Sequence, residues 1–170
     1  DRLNSDSKAM YPGFLTKDIA DMVVNGEIGS FLHVLIPEHA NQLQRLAAKS
    51  RLKIPLLIGI DAIHGNGMVR GTTIYPSPIT LASSFNDNFA YRIGRETALE
   101  MRATGSHWAF TPNVDVLRDP RWGRSGETFG EDPLLVGNLG VSTINGLQLN
   151  DFIGTNKVLA CAKHFIAGSD

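Results

Sequence analysis

The chain has one cysteine, Cys161, among its 170 residues, so no disulfide can form within it. That says little of its compartment, because an enzyme with a good core needs no disulfide anywhere. No uninterrupted apolar run approaches the ~20 residues that a membrane helix needs. Excess charge is also missing. A net charge of -1 and a pI near 6.6 give no reason to expect nucleic acid or an anionic membrane as a partner. The first residues, DRLNSDSKAM, lack the basic and apolar regions of a signal peptide. No GxxxxGK[ST] phosphate loop is present, no GxGxxG follows the first strand, and there is no GxSxG elbow. His33, His39, His64, His107 and His164 lack zinc-ligand spacing, so neither metal nor organic cofactor is expected. What remains is 42% hydrophobic and 19% charged, the composition of a soluble globular protein long enough to bury a core.

The apolar pattern alternates between two periods. Thr16 to Asn25 reads as a helix with Thr16 as N-cap and Gly26 after its end, Glu27 to Leu35 as a short buried strand, and Pro37 to Lys49 as a helix with Pro37 in its first turn. Pro55 to Ile60 (PLLIGI) is a strand covered on both faces. Asp87 to Thr104 is a long helix with Phe89, Ile93, Ala98 and Met101 on one side, followed by a strand at Ser106 to Phe110. Asp132 to Gln148 is a helix capped by Asp132, in which Gly137 and Gly140 mark close packing, and Lys157 to His164 is the last strand. This order predicts parallel βα units. The polar loops 61–86 and 111–131 and the residues after His164 all follow strands, where α/β folds carry their chemistry. Four strands with no closing partner would leave an exposed edge, so residues 1–170 are expected to form an incomplete domain.

Three constellations stand at strand ends. Asp61 closes PLLIGI, and a short carboxylate there suits two neighbouring hydroxyls of a polyol or sugar; a turn or cap aspartate is the structural alternative. His64 in the same DAIHG is expected to bond to backbone under the loop. Residues 113–133, NVDVLRDPRWGRSGETFGEDP, are too long and too charged for a mere connection. Arg118, Arg121 and Arg124 lie among Asp115, Asp119, Glu127, Glu131 and Asp132. Charges so mixed must largely satisfy one another, leaving room for one arginine to reach a ligand without showing which. Trp122 is either a stacking platform for a sugar or the anchor of the loop. Lys163 and His164 are neighbours on a strand and should point to opposite faces, so contact of both with one ligand requires an irregular backbone. Cys161 reads as an inert core thiol in mid-strand and Phe165 as a packing residue.

IGIDAIHG (58–65), TIYPSPITLASSF (73–85), TPNVDVLRDPRWGRSGETFGEDP (111–133) and CAKHFIAGSD (161–170) together resemble the N-terminal barrel domain of glycoside hydrolase family 3, and within it the bacterial β-glucosidases. The resemblance runs over nearly the whole chain, in order and spacing. It implies an α/β fold, the N-terminal half of a (β/α)8 TIM barrel with about four βα units. The rest of the barrel and a C-terminal α/β sandwich domain would follow in the parent protein. It also implies that Asp61, Arg124, Lys163 and His164 bind glucose in the innermost subsite. Asp61 would accept from hydroxyls, and the other three would donate or join the surrounding network.

Family members are retaining enzymes that use a carboxylate nucleophile and a second carboxyl as acid and base. The family's nucleophile lies in an SDW-like motif on a later strand, and Ser169–Asp170 comes too early to supply it. No catalytic carboxylate is therefore expected in the chain, both lying beyond residue 170, and the fragment alone should be inactive. The implied protein is a periplasmic or extracellular exo-acting β-glucosidase acting on a β-glucoside or oligosaccharide. β-Xylosidase, β-N-acetylhexosaminidase and a non-catalytic carbohydrate-binding barrel are the alternatives. KHFIAGSD departs from the motif of the N-acetylglucosamine enzymes. Asp61 stands where many xylosidases carry Glu, and the shorter side chain leaves room for a hydroxymethyl group.

Overall fold

Residues alternate in and out along a strand, and that rule organises this molecule. A computed structural model describes residues 17–149 and 154–165. The elements run α1 (Lys17–Asn25), β1 (Ser30–Leu32), α2 (Pro37–Ala47), β2 (Leu57–Ile60), α3 (Pro78–Ala82), α4 (Asp87–Ala103), β3 (Trp108–Ala109), α5 (Pro133–Gln148) and β4 (Leu159–Ala160), with a 3-10 turn at Ser125–Glu127. The strands form one parallel sheet in the order β1-β2-β3-β4. Strand order follows chain order without reversal. That is the arrangement of successive barrel units, and it differs from a doubly wound sheet, whose order reverses at a switch point.

The register defines two faces. Leu32, Gly59, Trp108 and Leu159 are partners in one row across all four strands. Ile60, Ala109 and Ala160 form the next row, on the opposite face. That second face packs on the helices: Ile60 and Ala109 are buried with Ala98, Met101 and Leu147, while Ile58 is buried with Val23, Ala40 and Leu43. The first face is the inner one. Trp108 and Phe110 stand on it edge to face with ring centroids 4.6 Å apart, and the Phe110 ring lies where a side chain at residue 59 would be, so Gly59 is required for that contact. Asp61, two residues past Gly59, therefore emerges on the inner face.

Helix ends follow the sequence closely. The Asp132 carboxylate accepts from the Leu135 amide at 2.9 Å with Pro133 beside it, and Asn86 accepts from Asn88 to start α4. Thr16 lies outside the described residues. The strands are shorter than expected, β3 and β4 being two residues each. Pairing continues past them irregularly, through Cys161 N to Thr111 O, Lys163 N to Pro112 O and Val114 N to Lys163 O. Three expectations are corrected. Cys161 lies beyond β4 and is only half-buried. Phe165 is 79% exposed, and Phe89 turns outward. α3 is an element that the sequence reading left inside a loop.

Of the two glycines expected to mark close packing, Gly140 does so, a methyl group there lying 3.0 Å from Val114, whereas at Gly137 it would meet nothing. The crossing of α4 and α5 is made by Gly94 and Gly146, where a methyl group on either would run into the backbone of the other helix, Thr143 O at 2.6 Å for Gly94 and Tyr91 O for Gly146. Gly146→Ala is expected to destabilise by about 1–3 kcal/mol through overpacking. Gly137→Ala, exposed in mid-helix, is expected to stabilise by roughly 0.5–1 kcal/mol. Thermal denaturation of both variants checks this; equal behaviour would refute the crossing.

Candidate functional site

Each of the four strands delivers one side chain or more from its C-terminal end to a single cluster. His33 comes after β1, Asp61 after β2, Asp115 and Arg124 from the loop after β3, and Lys163 and His164 after β4. Asp61 is the hub. Its Oδ1 accepts from Lys163 Nζ at 2.7 Å, and its Oδ2 lies 3.1 Å from His33 Nε2. That His33 nitrogen is also 3.2 Å from the Asp61 amide, but a ring nitrogen cannot donate and accept at once. The carboxylate charge favours donation from Nε2–H to Oδ2. The His33 hydrogen bond holds the Asp61 carboxyl down at about 2 against the counter-effect of burial, with Lys163 adding to the lowering.

A second group adjoins the first. Arg124 donates from Nε and Nη2 to the two Glu127 oxygens at 3.1 and 2.7 Å, and Asn113 donates to Glu127 at 3.0 Å. The pair raises the Arg124 pKa and lowers that of Glu127, in each case mainly through their mutual hydrogen bonds. Arg124 Nη1 lies 3.3 Å from His164 Nε2, and His164 Nδ1 is 2.8 Å from Asp115 Oδ2. The peptide bond Lys163–His164 is cis. Pairing past β4 runs through Lys163 N to Pro112 O and Val114 N to Lys163 O, outside the regular ladder, and both side chains sit in the one cluster.

The rest of the charged stretch mostly serves the loop. Asp119 pairs with Arg121 in the open, and Asp132 caps α5. Trp122 is half-buried, and its carbonyl accepts from Ser125 to close a turn. His64 is tied to backbone, Nδ1 lying 3.0 Å from the Tyr75 carbonyl, as its position suggested. Gly65 takes φ +103, and a methyl group there would strike the Thr73 carbonyl, so glycine is needed where the loop after Asp61 folds back.

All four residues singled out in the sequence, Asp61, Arg124, Lys163 and His164, are brought together. His33, Asp115, Glu127 and Asn113 were not singled out, and they hold those four in place. A cavity of about 270 Å³ opens beside Asp61, lined by Ile63, His64, Met68 and Ile74. A larger cavity of about 610 Å³ lies between α3 and α4 and contains none of the cluster. Among the described residues no group of three or more His, Cys, Asp or Glu is placed to hold a metal ion, and no helix is long and apolar enough to cross a membrane.

The arrangement offers an ionised, partly exposed acceptor between the largely buried donors His33 and Lys163, with the half-exposed Arg124 guanidinium nearby, which suits a neutral ligand rich in hydroxyls. Asp61 is expected to titrate in the folded protein with a midpoint near 2. Because that lies below its ordinary 3.8, its contribution to stability is full above 3.8 and disappears as pH falls from there to about 2. Carboxyl carbon NMR should show this midpoint moving up in His33→Ala; an unmoved midpoint would remove His33 as its main cause.

Residues 14–170 match the glycosyl hydrolase family 3 N-terminal domain. The chain is 36% identical over 150 residues to a periplasmic beta-glucosidase of Salmonella typhimurium, covering 88% of this chain and 19% of that protein. It is also 36% identical over 124 residues to a xylan 1,4-beta-xylosidase of Xylanibacter ruminicola, covering 64% of this chain and 14% of that one. Among solved structures, a beta-glucosidase involved in saponin metabolism from intestinal bacteria superposes with a TM-score of 0.81 at 37% identity, over 97% of this chain and 23% of that chain. The beta-glucosidase of Listeria innocua in complex with glucose gives 0.75 at 36% identity, over 81% of this chain and 19% of that one. The chain thus spans about a fifth of the length of the relatives it matches.

Proposed function

We propose, from the premise that this chain belongs to glycosyl hydrolase family 3, that it supplies the sugar-binding side of the innermost subsite in a retaining, exo-acting β-glucosidase. The observation that carries the reading is the convergence of Asp61, Lys163, Arg124 and His164 at the ends of three neighbouring strands, joined by hydrogen bonds. Ionised groups with spare hydrogen-bonding capacity bind neutral hydroxyls strongly, each such bond contributing about 1.5–3 kcal/mol. Asp61 accepts from hydroxyls; Lys163 and Arg124 donate. The nucleophile and the acid/base come from sequence outside this chain, and the isolated chain does not turn over substrate. The name of the Salmonella relative supports a periplasmic setting; the extracellular space is the other setting proposed.

β-Xylosidase is the second reading, because relatives named as xylosidases match at 34–40% identity. Against it stands Asp61, whose short side chain leaves space for the hydroxymethyl group that xylose lacks. The full-length gene product is expected to hydrolyse an aryl β-glucoside faster than the β-xyloside or the β-N-acetylglucosaminide. Asp61→Ala should lower kcat/KM at least about a hundredfold, the loss of one to two charged hydrogen bonds. Near-wild-type turnover in that variant would refute the site; a preference for the xyloside would select the second reading; glucose binding without hydrolysis by any substrate would leave a carbohydrate-binding barrel.

A further inference from the structure

Asp115 has no place in the sugar-binding set, yet its side chain is fully buried while that of His164 beside it is 38% exposed. Its Oδ1 accepts from the His164 amide at 3.2 Å and its Oδ2 lies 2.8 Å from His164 Nδ1. A carboxylate with both oxygens so placed only accepts, and Arg124 lies close enough to feel its charge. The hydrogen between Oδ2 and Nδ1 therefore belongs to Nδ1. On the other side of the ring, Nε2 faces Arg124 Nη1 at 3.3 Å. A guanidinium has donors and no acceptor, so that contact requires a lone pair on Nε2. Two independent contacts thus demand the same tautomer.

We propose that Asp115 is a positioning residue that fixes His164 as the Nδ1–H tautomer, so that His164 serves as an acceptor for Arg124 and does not donate to the sugar. The consequence is a count of donors. Arg124 has five N–H groups. Nε and Nη2 engage Glu127 and Nη1 engages His164, which leaves one on each terminal nitrogen. Held from two sides, the guanidinium plane cannot rotate, and its two spare N–H groups keep a fixed direction for neighbouring hydroxyls. Asp115 thus acts on the ligand through His164 and Arg124 without touching it. This inference rests on the sugar-binding reading of the cluster for its function, but its tautomer claim stands apart from any ligand.

The test uses the full-length gene product labelled with ¹⁵N-histidine. Long-range ¹H–¹⁵N spectra, with His164 assigned by comparison with His164→Gln, should show the hydrogen on Nδ1. In Asp115→Asn the side-chain amide can donate to Nδ1, the hydrogen should move to Nε2, and affinity for glucose should fall tenfold or more. Wild-type spectra with the hydrogen on Nε2 overturn the proposal, as does Asp115→Asn with an unchanged tautomer and unchanged glucose affinity. If Asp115→Asn does not fold, the wild-type spectrum decides alone. If the tautomer is as expected and switches in the variant while neither form binds glucose, the positioning role stands and the sugar-binding reading fails.

Discussion

The ion pair between Asp61 and Lys163 ties together parts of the fold that the sheet keeps apart. Asp61 leaves β2 and Lys163 follows β4, with β3 between them. Two strand spacings amount to roughly 9.5 Å, yet the charged atoms meet at 2.7 Å. The Lys163 stem must therefore cross over the end of β3, and the residues after β3 must leave its path clear. A single in-register parallel sheet makes this possible, because all of its strands end on the same side. An antiparallel arrangement would send every second one to the other end. His33 reaches Asp61 from the opposite edge strand, so one carboxylate receives donors that arrive from both sides of its own strand.

Holding such a cluster needs a stiff surround, and the stiffness comes from helices with almost no side chain between them. Gly94 and Gly146 let α4 and α5 approach until backbone meets backbone. Their buried faces, with Ala98, Met101 and Leu147, press on Ile60 and Ala109, the last residues of β2 and β3. The loop carrying Asp115 and Arg124 is pinned in turn: Val114 fits against Gly140 of α5, and Leu117 donates to the Gly130 carbonyl. Asp115 is thereby buried under His164, where its hydrogen bonds are shielded from water and gain in strength.

Much of this was legible in the sequence because it depends on local pattern. The run PLLIGI announced a strand buried on both faces, with Asp61 at its end, where α/β folds carry their chemistry. Asp132–Pro133 announced the start of α5. The family resemblance separated Arg124 from Arg118 and Arg121, which composition could not do. What stayed hidden depends on contacts between distant residues. His33 sits 28 positions from Asp61, and Asp115 sits 49 from His164; neither pairing leaves a mark in spacing. Gly94 and Gly146 look like any helix glycines until the two helices are set side by side. Strands β3 and β4 were overestimated because apolar character continues past the point where regular pairing ends, at Phe110 and at Cys161.

The electrostatics of the cluster bear on where the chemistry is done. A glycosidase needs a carboxyl that still holds its proton near neutral pH, which calls for a raised pKa from burial or a neighbouring negative charge. The environment here works the other way. Asp61 is held at about 2 by His33 and Lys163, and Glu127 is lowered by Arg124 and Asn113. Both carboxylates are kept ionised, and each is engaged by cationic or hydrogen-bonding partners. An acid must give up a proton, and groups held deprotonated in this way are not suited to that task. They are suited to binding, where a fixed charge that does not change state gives the same hydrogen bonds through the whole catalytic cycle. On the proposed reading, the same donors that make Asp61 and Glu127 good ligands for hydroxyls or for Arg124 keep them from acting as the acid, a role that calls for a carboxyl group with fewer cations around it than these have.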